Sequence, residues 1–438
     1  MEYRLVQGTW RSFGPGRHDA RPDPAISGAR VVNCRFCERP LRHSLVDLGM
    51  QPLSNSYVDA TRAEAMEPFY PLHARVCEDC LLVQLPVFEA PEQIFTDYAY
   101  LSSVSKSWLE HCDRFAQTMH DMLRLGSNDL VVEVASNDGG LLQCFRTRDI
   151  RVLGIEPAAN VADIARAAGV DTVARFFGSA LATELKSKGT SPRLLVGNNV
   201  LAHVPDLNDF VRGLQTLLAP DGVLSMEFPH LLQLMQGNQF DTIYHEHFSY
   251  LSLLTVSRVF AHHGLRVFDV VTLPTHGGSI RVLACQSGFT GLATTERVNN
   301  VLEVERAAGL TSMATYEAFS KQVHETKRKL LEFLIAQRRA GKRIVGYGAP
   351  AKGNTLLNYC GIREDFLEFT VDRSPLKQGK LLPGTRIPVR APEALTDARP
   401  DLVLILPWNI EREIVEQLAF IREWGGKFIV PIPEVRVV

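Results

Sequence analysis

The segment from Tyr244 to Tyr250 reads Tyr-His-Glu-His-Phe-Ser-Tyr and is unusually dense in side chains that can move protons. Histidine is the best side-chain base near neutral pH. Removing a proton from a carbon beside a ketone also requires stabilisation of the enolate, and tyrosine or glutamate can donate to or orient its oxygen. The segment favours such acid–base chemistry over a purely structural hydrogen-bond cluster, and His203 is a further candidate. Its histidine spacing differs from the HExxH pattern of zinc proteases.

Four of the eight cysteines form two CxxC pairs. Two residues between cysteines let both thiolates point at one ion, and two such turns complete a closed tetrahedral site. A closed site has no position for water, so we expect a structural zinc ion. The predicted ligands are Cys34, Cys37, Cys77 and Cys80. Four buried thiols without a metal are the alternative.

Alternating strands and helices must position these groups. Apolar runs alternate with helical patterns in the middle of the chain, and again after a long helical segment at about 312–340. This is the βαβ rhythm of a parallel sheet. The predicted strands are 130–134, 152–155, 194–196 and 223–226 in the first block, and 343–347, 368–372, 402–406 and 427–430 in the second.

Three loops after strands of the first block form a candidate ligand crevice, because the carboxyl ends of parallel strands meet there. Small residues in the first loop let the backbone approach a ligand, and an acidic residue after the second strand can accept hydrogen bonds from ribose hydroxyls. No GxGxxG motif occurs in this block, which disfavours NAD and favours a methyltransferase-type site for S-adenosylmethionine. The predicted cofactor-binding residues are Glu133, Ser136, Asn137, Gly139, Glu156, Asn198 and Leu201.

A second glycine-rich turn, Gly346–Thr355, satisfies G-x-G-x-x-A and has Asp372 at the end of the next strand. It is not a P-loop, because Lys352 precedes Gly353. A helix N-terminus with glycines and a lysine is an anion site, so we expect a pyrophosphate here. A Rossmann turn that only packs is the alternative.

The chain has 438 residues, which suggests about three domains. Its net charge of -2 offers no electrostatic footprint for nucleic acid. We find no apolar stretch that could span a membrane, and residues 1–30 lack the apolar region of a secretory signal. We therefore expect a cytoplasmic protein without nucleic-acid or membrane partners. The oligomeric state stays open, and a monomer is compatible with the sequence.

Together these segments resemble the sugar C-methyltransferases of antibiotic deoxysugar pathways, which act on thymidine-diphosphate-linked 4-keto-hexoses. The resemblance covers about residues 31–435 and is specific as a set. It is carried by the two CxxC pairs and by the segments 47–55, 95–103, 135–139, 244–250, 277–281, 346–358 and 371–375.

The resemblance implies an α/β fold with a Rossmann-like S-adenosylmethionine methyltransferase core, a small N-terminal zinc-binding domain and a second Rossmann-like domain at the C-terminus. The implied boundaries are a disordered leader at 1–30, the zinc-binding domain at 31–90, the methyltransferase domain at 91–300 and a nucleotide-sugar-binding domain at 301–438.

The resemblance also implies roles for individual residues. His247 would remove the proton at sugar C3, while Tyr244, Glu246 and His203 would position the substrate and stabilise the enolate at the C4 ketone. The implied substrate-binding residues are Tyr98 and Asn199 in the pocket, and Lys352 and Asn354 at the nucleotide diphosphate. The implied function is C-methylation of a nucleotide-linked keto-sugar.

Three alternatives stay open at this point. The acceptor of the methyl group could be a natural product that is not a sugar. The G-x-G-x-x-A turn could serve an NAD-dependent sugar oxidoreductase. The zinc domain could belong to a scaffold protein without enzymatic activity.

Overall fold

The computed structural model describes residues 32–88, 101–104 and 106–438. The expected leader at 1–30 and the predicted pocket residue Tyr98 lie outside the described residues. No described helix combines the length and the apolar character needed to cross a membrane.

The N-terminal part of the described chain is built of short strands around the two CxxC turns. Its strands are β1 (His43–Gln51), β2 (Val58–Asp59), β3 (Tyr70–Val76) and β4 (Val83–Gln84). β1 pairs with β3, and β3 pairs with β4, all antiparallel. The apolar side chains Leu45, Leu72 and Ala74 are fully buried and make this sheet one wall of a larger core.

The middle of the chain forms a seven-stranded sheet in the order β11–β12–β9–β8–β5–β6–β7. Its elements in chain order are α1 (Lys106–Leu123), β5 (Leu130–Val134), α2 (Gly140–Arg146), β6 (Arg151–Ile155), α3 (Ala159–Ala167), β7 (Thr172–Val173), α4 (Ser179–Ser187), β8 (Leu194–Asn198), α5 (Leu207–Leu217), β9 (Val223–Pro229), α6 (Leu231–Gln236), β10 (Ser249–Tyr250), α7 (Leu253–His262), β11 (Leu265–Leu273), β12 (Ser279–Gln286) and α8 (Glu296–Ala307). β5 to β9 are parallel, and β12 is antiparallel to β9 and β11.

The C-terminal part forms a second, six-stranded sheet in the order β16–β14–β13–β17–β18–β19. Its elements are α9 (Met313–Arg339), β13 (Ile344–Tyr347), α10 (Ala351–Cys360), β14 (Thr370–Val371), β15 (Lys380–Leu381), β16 (Val389–Arg390), α11 (Ala394–Ala398), β17 (Leu402–Ile405), α12 (Glu411–Gln417), β18 (Lys427–Val430) and β19 (Arg436–Val437). Only β19 runs antiparallel within this sheet. β15 pairs instead with β2 of the N-terminal part.

The three parts of the chain share elements and core. β10 lies outside the central sheet and pairs with β4, so that the end of the segment Tyr244–Tyr250 completes the N-terminal sheet. The long helix α9 packs against β1, and buried side chains of both belong to one core. The division at 31–90, 91–300 and 301–438 therefore stays a proposal about domains that are extensively joined.

One fully buried acidic side chain, Glu305 of α8, joins the residue after β9 to the first turn of α7. Its Oε1 accepts hydrogen bonds from His230 Nε2 at 2.7 Å and from the backbone N–H of Leu253 at 2.6 Å. Its Oε2 accepts from the backbone N–H of Leu254 at 2.8 Å. A carboxylate at the first turn of α7 satisfies two otherwise unpaired amides and lies at the positive end of the helix.

We expect Glu305→Gln to lower the free energy of unfolding by about 3 kcal/mol, because the amide leaves buried donors without an acceptor. Urea unfolding of the variant beside the wild type measures this change. Glu303→Gln is the matched control, since Glu303 lies on the same helix and is exposed. Equal stability of the two variants would contradict the role given to Glu305.

Candidate active site

A cavity of about 800 Å³ lies at the carboxyl ends of β5, β6, β8 and β9. Its other walls are the segment Tyr244–Tyr250 and the amino end of α10. The three loops of the expected crevice, the proton-moving segment and the C-terminal glycine turn therefore all face one space.

The loop after β5 turns sharply before α2. Ala135, Asn137 and Gly139 adopt left-handed backbone conformations, with φ of 57°, 50° and 78°. A Cβ on Gly139 would lie 3.0 Å from a methyl carbon of Val170, so glycine is required both by the backbone and by the close packing. Glu156 holds this loop, since its Oε2 accepts a hydrogen bond from the N–H of Asn137 at 2.9 Å.

The floor of the cavity is acidic. Burial raises the pKa of the Glu156 carboxyl, and two backbone N–H bonds oppose that rise. The pKa of Glu133 is raised well above its ordinary value, first by burial and then by the negative charges of Glu156 and Asp138. A cationic ligand would offset the electrostatic repulsion between these carboxylates.

Several residues that line the cavity carry buried polar atoms without a hydrogen-bond partner, among them Glu133 Oε2, Ser136 Oγ and Asn198 Oδ1. Buried acceptors without partners are costly unless a ligand supplies donors. A ligand with hydroxyl groups and a cationic amino group fits this set.

The imidazole of His247 lines the same cavity and is held by a backbone carbonyl group five residues earlier in the chain. Its Nδ1 is 2.8 Å from the carbonyl oxygen of Thr242. Because a carbonyl oxygen can only accept, Nδ1 carries the proton and Nε2 keeps its lone pair. Burial, followed by the charge of His203, lowers the pKa of His247 well below its ordinary value. The ring is therefore neutral at pH 7 and can act as a base.

Two further predicted catalytic residues surround His247. The ring of Tyr244 has its centroid 4.0 Å from that of His247, and the ring of His203 meets it edge-on at 4.7 Å. All three line the cavity. Burial lowers the pKa of His203 to about 4, so this imidazole is also neutral at pH 7.

The structure brings most of the predicted site residues together. Those that line the cavity are Glu133, Ser136, Asn137, Glu156, Asn198, Asn199, His203, Tyr244, His247 and Lys352. Gly139 and Leu201 do not line the cavity. Gly139 packs closely against Val170, and the side chain of Leu201 is buried. Tyr98 lies outside the described residues.

Glu246 and Asn354 face the N-terminal module instead of the cavity. The Glu246 Oε1 accepts a hydrogen bond from Asn55 Nδ2 at 2.7 Å, and the Asn354 Nδ2 donates to the carbonyl oxygen of Ser54 at 2.6 Å. Adjacent side chains point in different directions in an irregular segment, so the position of Glu246 beside His247 did not guarantee a common direction. The catalytic role of Glu246 and the substrate role of Asn354 remain predictions.

The amino end of α10 presents Lys352 to the cavity. Its ammonium lies 4.6 Å from the ring centroid of Trp408 and donates to Asn409 Oδ1. Burial lowers the pKa of Lys352 to about 8, and the nearby Asp241 opposes that shift. Asp372, which could have met a ribose, accepts instead from the backbone N–H of Ala349 at 2.7 Å.

His276 is a cavity residue that sequence reasoning did not assign. It adopts a left-handed conformation with φ of 56°, and its Nε2 is 3.3 Å from Nδ2 of Asn199, which is also left-handed. Strained non-glycine residues of this kind are retained where the surroundings determine them, often at functional sites. The segment 277–281, which is part of the family resemblance, directly follows His276 and is the signal that could have pointed to it.

The four predicted zinc ligands form one cluster. Their sulfur atoms all lie within 4.8 Å of one another, with 3.5 Å between Cys34 and Cys80 and 3.4 Å between Cys37 and Cys77. A tetrahedral ion with bonds of about 2.3 Å would hold sulfurs roughly 3.8 Å apart, so the cluster fits zinc with small adjustments. Left-handed Glu38 and Leu81 close the two CxxC turns after their second cysteines.

Fold and cavity together define a methyltransferase of the S-adenosylmethionine class, and comparison with known proteins agrees. Three family models match: a putative zinc binding domain at residues 34–95, a methyltransferase domain at 105–270 and a C-methyltransferase C-terminal domain at 274–433. C-methyltransferase NovU of Streptomyces niveus is 38% identical over 408 residues, covering 93% of this chain and 97% of that protein. The chain belongs to this family of zinc-containing C-methyltransferases.

Solved structures that match the chain include an S-adenosylmethionine-dependent methyltransferase of Clostridium acetobutylicum ATCC 824, at 12% identity and a TM-score of 0.33 over 41% of this chain and 92% of that chain. Magnesium protoporphyrin IX methyltransferase of Synechocystis PCC 6803 with bound cofactor matches at 14% identity and a TM-score of 0.32, over 45% of this chain and 89% of that chain.

The cofactor of this enzyme is S-adenosylmethionine, and the metal is structural zinc. The unpartnered acceptors at the cavity floor suit the ribose hydroxyls and the amino group of the cofactor. The acidic floor suits its positive charge. When bound, the cofactor supplies an electrophilic methyl group.

Proposed function

We propose that this enzyme methylates a carbon next to a ketone, at C3 of a thymidine-diphosphate-linked 4-keto-deoxysugar, in the biosynthesis of a natural-product deoxysugar. The observation that carries the proposal is the contact of 2.8 Å between Nδ1 of His247 and the carbonyl oxygen of Thr242. The Nδ1–H of His247 is committed to this carbonyl, which leaves Nε2 as a base in the same cavity as the cofactor loops. Removal of a proton from a carbon beside a ketone requires such a positioned base.

The first step of the proposed reaction is removal of the C3 proton by Nε2 of His247. The electron pair of the C–H bond moves to the C4 carbonyl oxygen, which becomes an enolate. The rings of Tyr244 and His203 lie beside that of His247. We assign to these two side chains the hydrogen bonds that stabilise the enolate oxygen. When bound, S-adenosylmethionine would supply the methyl group: the enolate carbon would take it as the bond from that carbon to sulfur breaks, S-adenosylhomocysteine would leave, and the C4 ketone would re-form. His247 would then release the proton on Nε2 to solvent.

The nucleotide diphosphate is assigned to the amino end of α10. This helix has 10 residues, and Ala351 and Lys352 of its first turn line the cavity. The amino end of a helix offers backbone N–H groups and a partial positive charge to an anion. Lys352 adds a positive charge at the same place. Lys352 lines the same cavity as His203 and His247, so a diphosphate at this helix end and a sugar beside the histidines would share one space.

A cytoplasmic location belongs to the same proposal, since a reducing compartment keeps the four cysteine ligands available to zinc. A monomer remains compatible with it.

Deuterium exchange tests the proposal directly. The enzyme is incubated in D2O with S-adenosylhomocysteine and a thymidine-diphosphate-linked 4-keto-6-deoxyhexose, and the C3 proton is followed by NMR. Enzyme-dependent loss of this signal is expected. If the C3 proton is retained while the cofactor product binds tightly, the acceptor is not this class of keto-sugar, and a non-sugar acceptor takes its place.

Two pKa shifts set the pH dependence of kcat/KM: that of His247 limits activity on the acid side, and that of Lys352 limits it on the alkaline side. His247 must be neutral to act, and because its pKa is lowered, kcat/KM should fall on the acid side only below the ordinary histidine value of 6.5. Lys352 must be charged to bind the diphosphate, and its charge is lost as pH rises through about 8. We expect a bell-shaped profile of kcat/KM for the sugar nucleotide.

Lys352→Arg is the control for the alkaline limb, because a guanidinium stays charged throughout this range. The limb near pH 8 should disappear in that variant. If the alkaline limb persists in Lys352→Arg, a group other than Lys352 causes it.

A further inference from the structure

We propose that Arg35 of the first CxxC turn is a positioning residue for catalysis: it sets the spacing of His203 and His247 by holding the chain beside each of them. The inference deepens the proposed function and rests on it for the identity of the two histidines. It gives the zinc-binding turn a task in the reaction although the metal stays remote from the cavity.

The guanidinium of Arg35 reaches from the zinc-binding turn to the loop that carries His203. Its Nη1 donates to the carbonyl oxygens of Pro205 at 2.9 Å and Val204 at 3.3 Å, and its Nη2 donates to that of Leu85. Val204 and Pro205 follow His203 directly and line the cavity with it. One planar fork therefore ties the chain after His203 to the N-terminal module.

Arg35 also contacts the chain beside His247. Its Cζ lies 5.5 Å from the ring centroid of Phe248, the next residue after His247. The backbone N–H of Phe248 donates to the carbonyl oxygen of Ala202 at 2.7 Å, and its own carbonyl accepts from the N–H of Leu85 at 3.0 Å. The residues adjoining both histidines thus meet at Arg35.

The zinc-binding turn is itself fastened to these elements. Gln84 of β4 accepts a hydrogen bond from the N–H of Arg35 at 2.8 Å and donates to Cys34 Sγ at 3.1 Å. The same Gln84 pairs with Ser249 in the sheet register of β4 and β10. Asn208 at the start of α5 donates to the carbonyl oxygen of Phe36 at 2.9 Å. The closed four-cysteine turn is therefore a rigid base from which Arg35 extends.

If Arg35 acted only through its positive charge near the cysteine thiolates, lysine would replace it without loss of activity. Lysine would keep that charge but has a single nitrogen on a flexible stem, and it cannot reproduce a planar fork across three carbonyl oxygens. Arg35→Lys consequently separates geometry from charge.

The test compares Arg35→Lys with Arg39→Lys, because Arg39 belongs to the same turn and its side chain is 70% exposed. Zinc content, affinity for S-adenosylhomocysteine and steady-state kinetics are measured for both. We expect Arg35→Lys to retain zinc and to bind the cofactor product within about twofold of wild type, while kcat falls roughly 10- to 100-fold through misplacement of the histidines. Arg39→Lys should behave as wild type.

A readout that needs no substrate accompanies the kinetics. The imidazole nitrogen resonances of His203 and His247, assigned from single substitutions, should shift in Arg35→Lys and stay unchanged in Arg39→Lys. Unchanged resonances, wild-type kcat or loss of zinc in Arg35→Lys would each overturn the inference. If the wild-type enzyme shows no exchange at the sugar C3, the proposed function has failed, and the resonances alone decide the role of Arg35.

Discussion

His247→Ala is expected to lower kcat by about a thousandfold, since a positioned general base contributes between a hundredfold and ten-thousandfold. In the proposed mechanism Nε2 of His247 is the base, and alanine leaves the acidic carbon without an acceptor for its proton. The predicted cofactor-binding residues are other side chains of the cavity, such as Glu133 and Glu156, so affinity for S-adenosylhomocysteine should stay unchanged. Steady-state kinetics and calorimetric binding measure the two quantities.

His245→Gln is the matched control for this prediction. His245 belongs to the same segment, but its ring packs beside Tyr70 and Phe88 and its Nε2 donates to the carbonyl oxygen of Pro71 at 3.2 Å. It does not line the cavity within the described residues. We expect reduced stability with kcat close to wild type. A His247→Ala enzyme that kept wild-type turnover would remove His247 from the mechanism.

Replacing a zinc ligand has the second large expected effect, on folding. Cys77→Ser and Cys80→Ser should lose stoichiometric zinc and unfold the N-terminal module. Structural zinc contributes about 10–16 kcal/mol of apparent binding free energy in small zinc domains, which is as large as the whole stability of a typical domain. Zinc analysis and thermal unfolding measure the outcome.

Loss of zinc should also destabilise the catalytic part of the chain, for two reasons. The strand β10 pairs with β4, and helix α9 packs on β1, so unfolding of these strands exposes core shared with the catalytic part. Activity should therefore be lost together with zinc. Cys144→Ser is the control, because Cys144 lies on α2 and outside the cluster. Full zinc content in Cys77→Ser would show that the four thiolates do not form one site.

The sequence alone predicted the elements whose signals are local. The strand β5 was predicted at 130–134 and is observed at Leu130–Val134, and the long helix predicted at about 312–340 is Met313–Arg339. Hydrophobic periodicity and glycine-rich turns act over a few residues, so they can be recognised without knowledge of the fold. The same holds for the two CxxC turns, since their spacing is itself the geometry of a tetrahedral site.

The ligand crevice was predictable for a topological reason. Parallel strands place their carboxyl ends at one edge of a sheet, so the loops with Glu133, Glu156 and Asn198 had to meet once the strands were identified. The general position of the methyl-donor site therefore followed from the order of strands. The resemblance to known C-methyltransferases added the roles proposed for His247 and Tyr244, which periodicity does not reveal.

Only the tertiary structure decided which side chains face the cavity and which join the modules. Glu246 turns toward Asn55, Asn354 toward Ser54, and His276 enters the cavity from a turn with no distinctive signal. Arg35 contacts carbonyl oxygens about 50 and 170 residues away in sequence. Such contacts depend on how separate elements pack, and packing is a property of the whole core, whereas a sequence pattern reports only the local preference of its own segment.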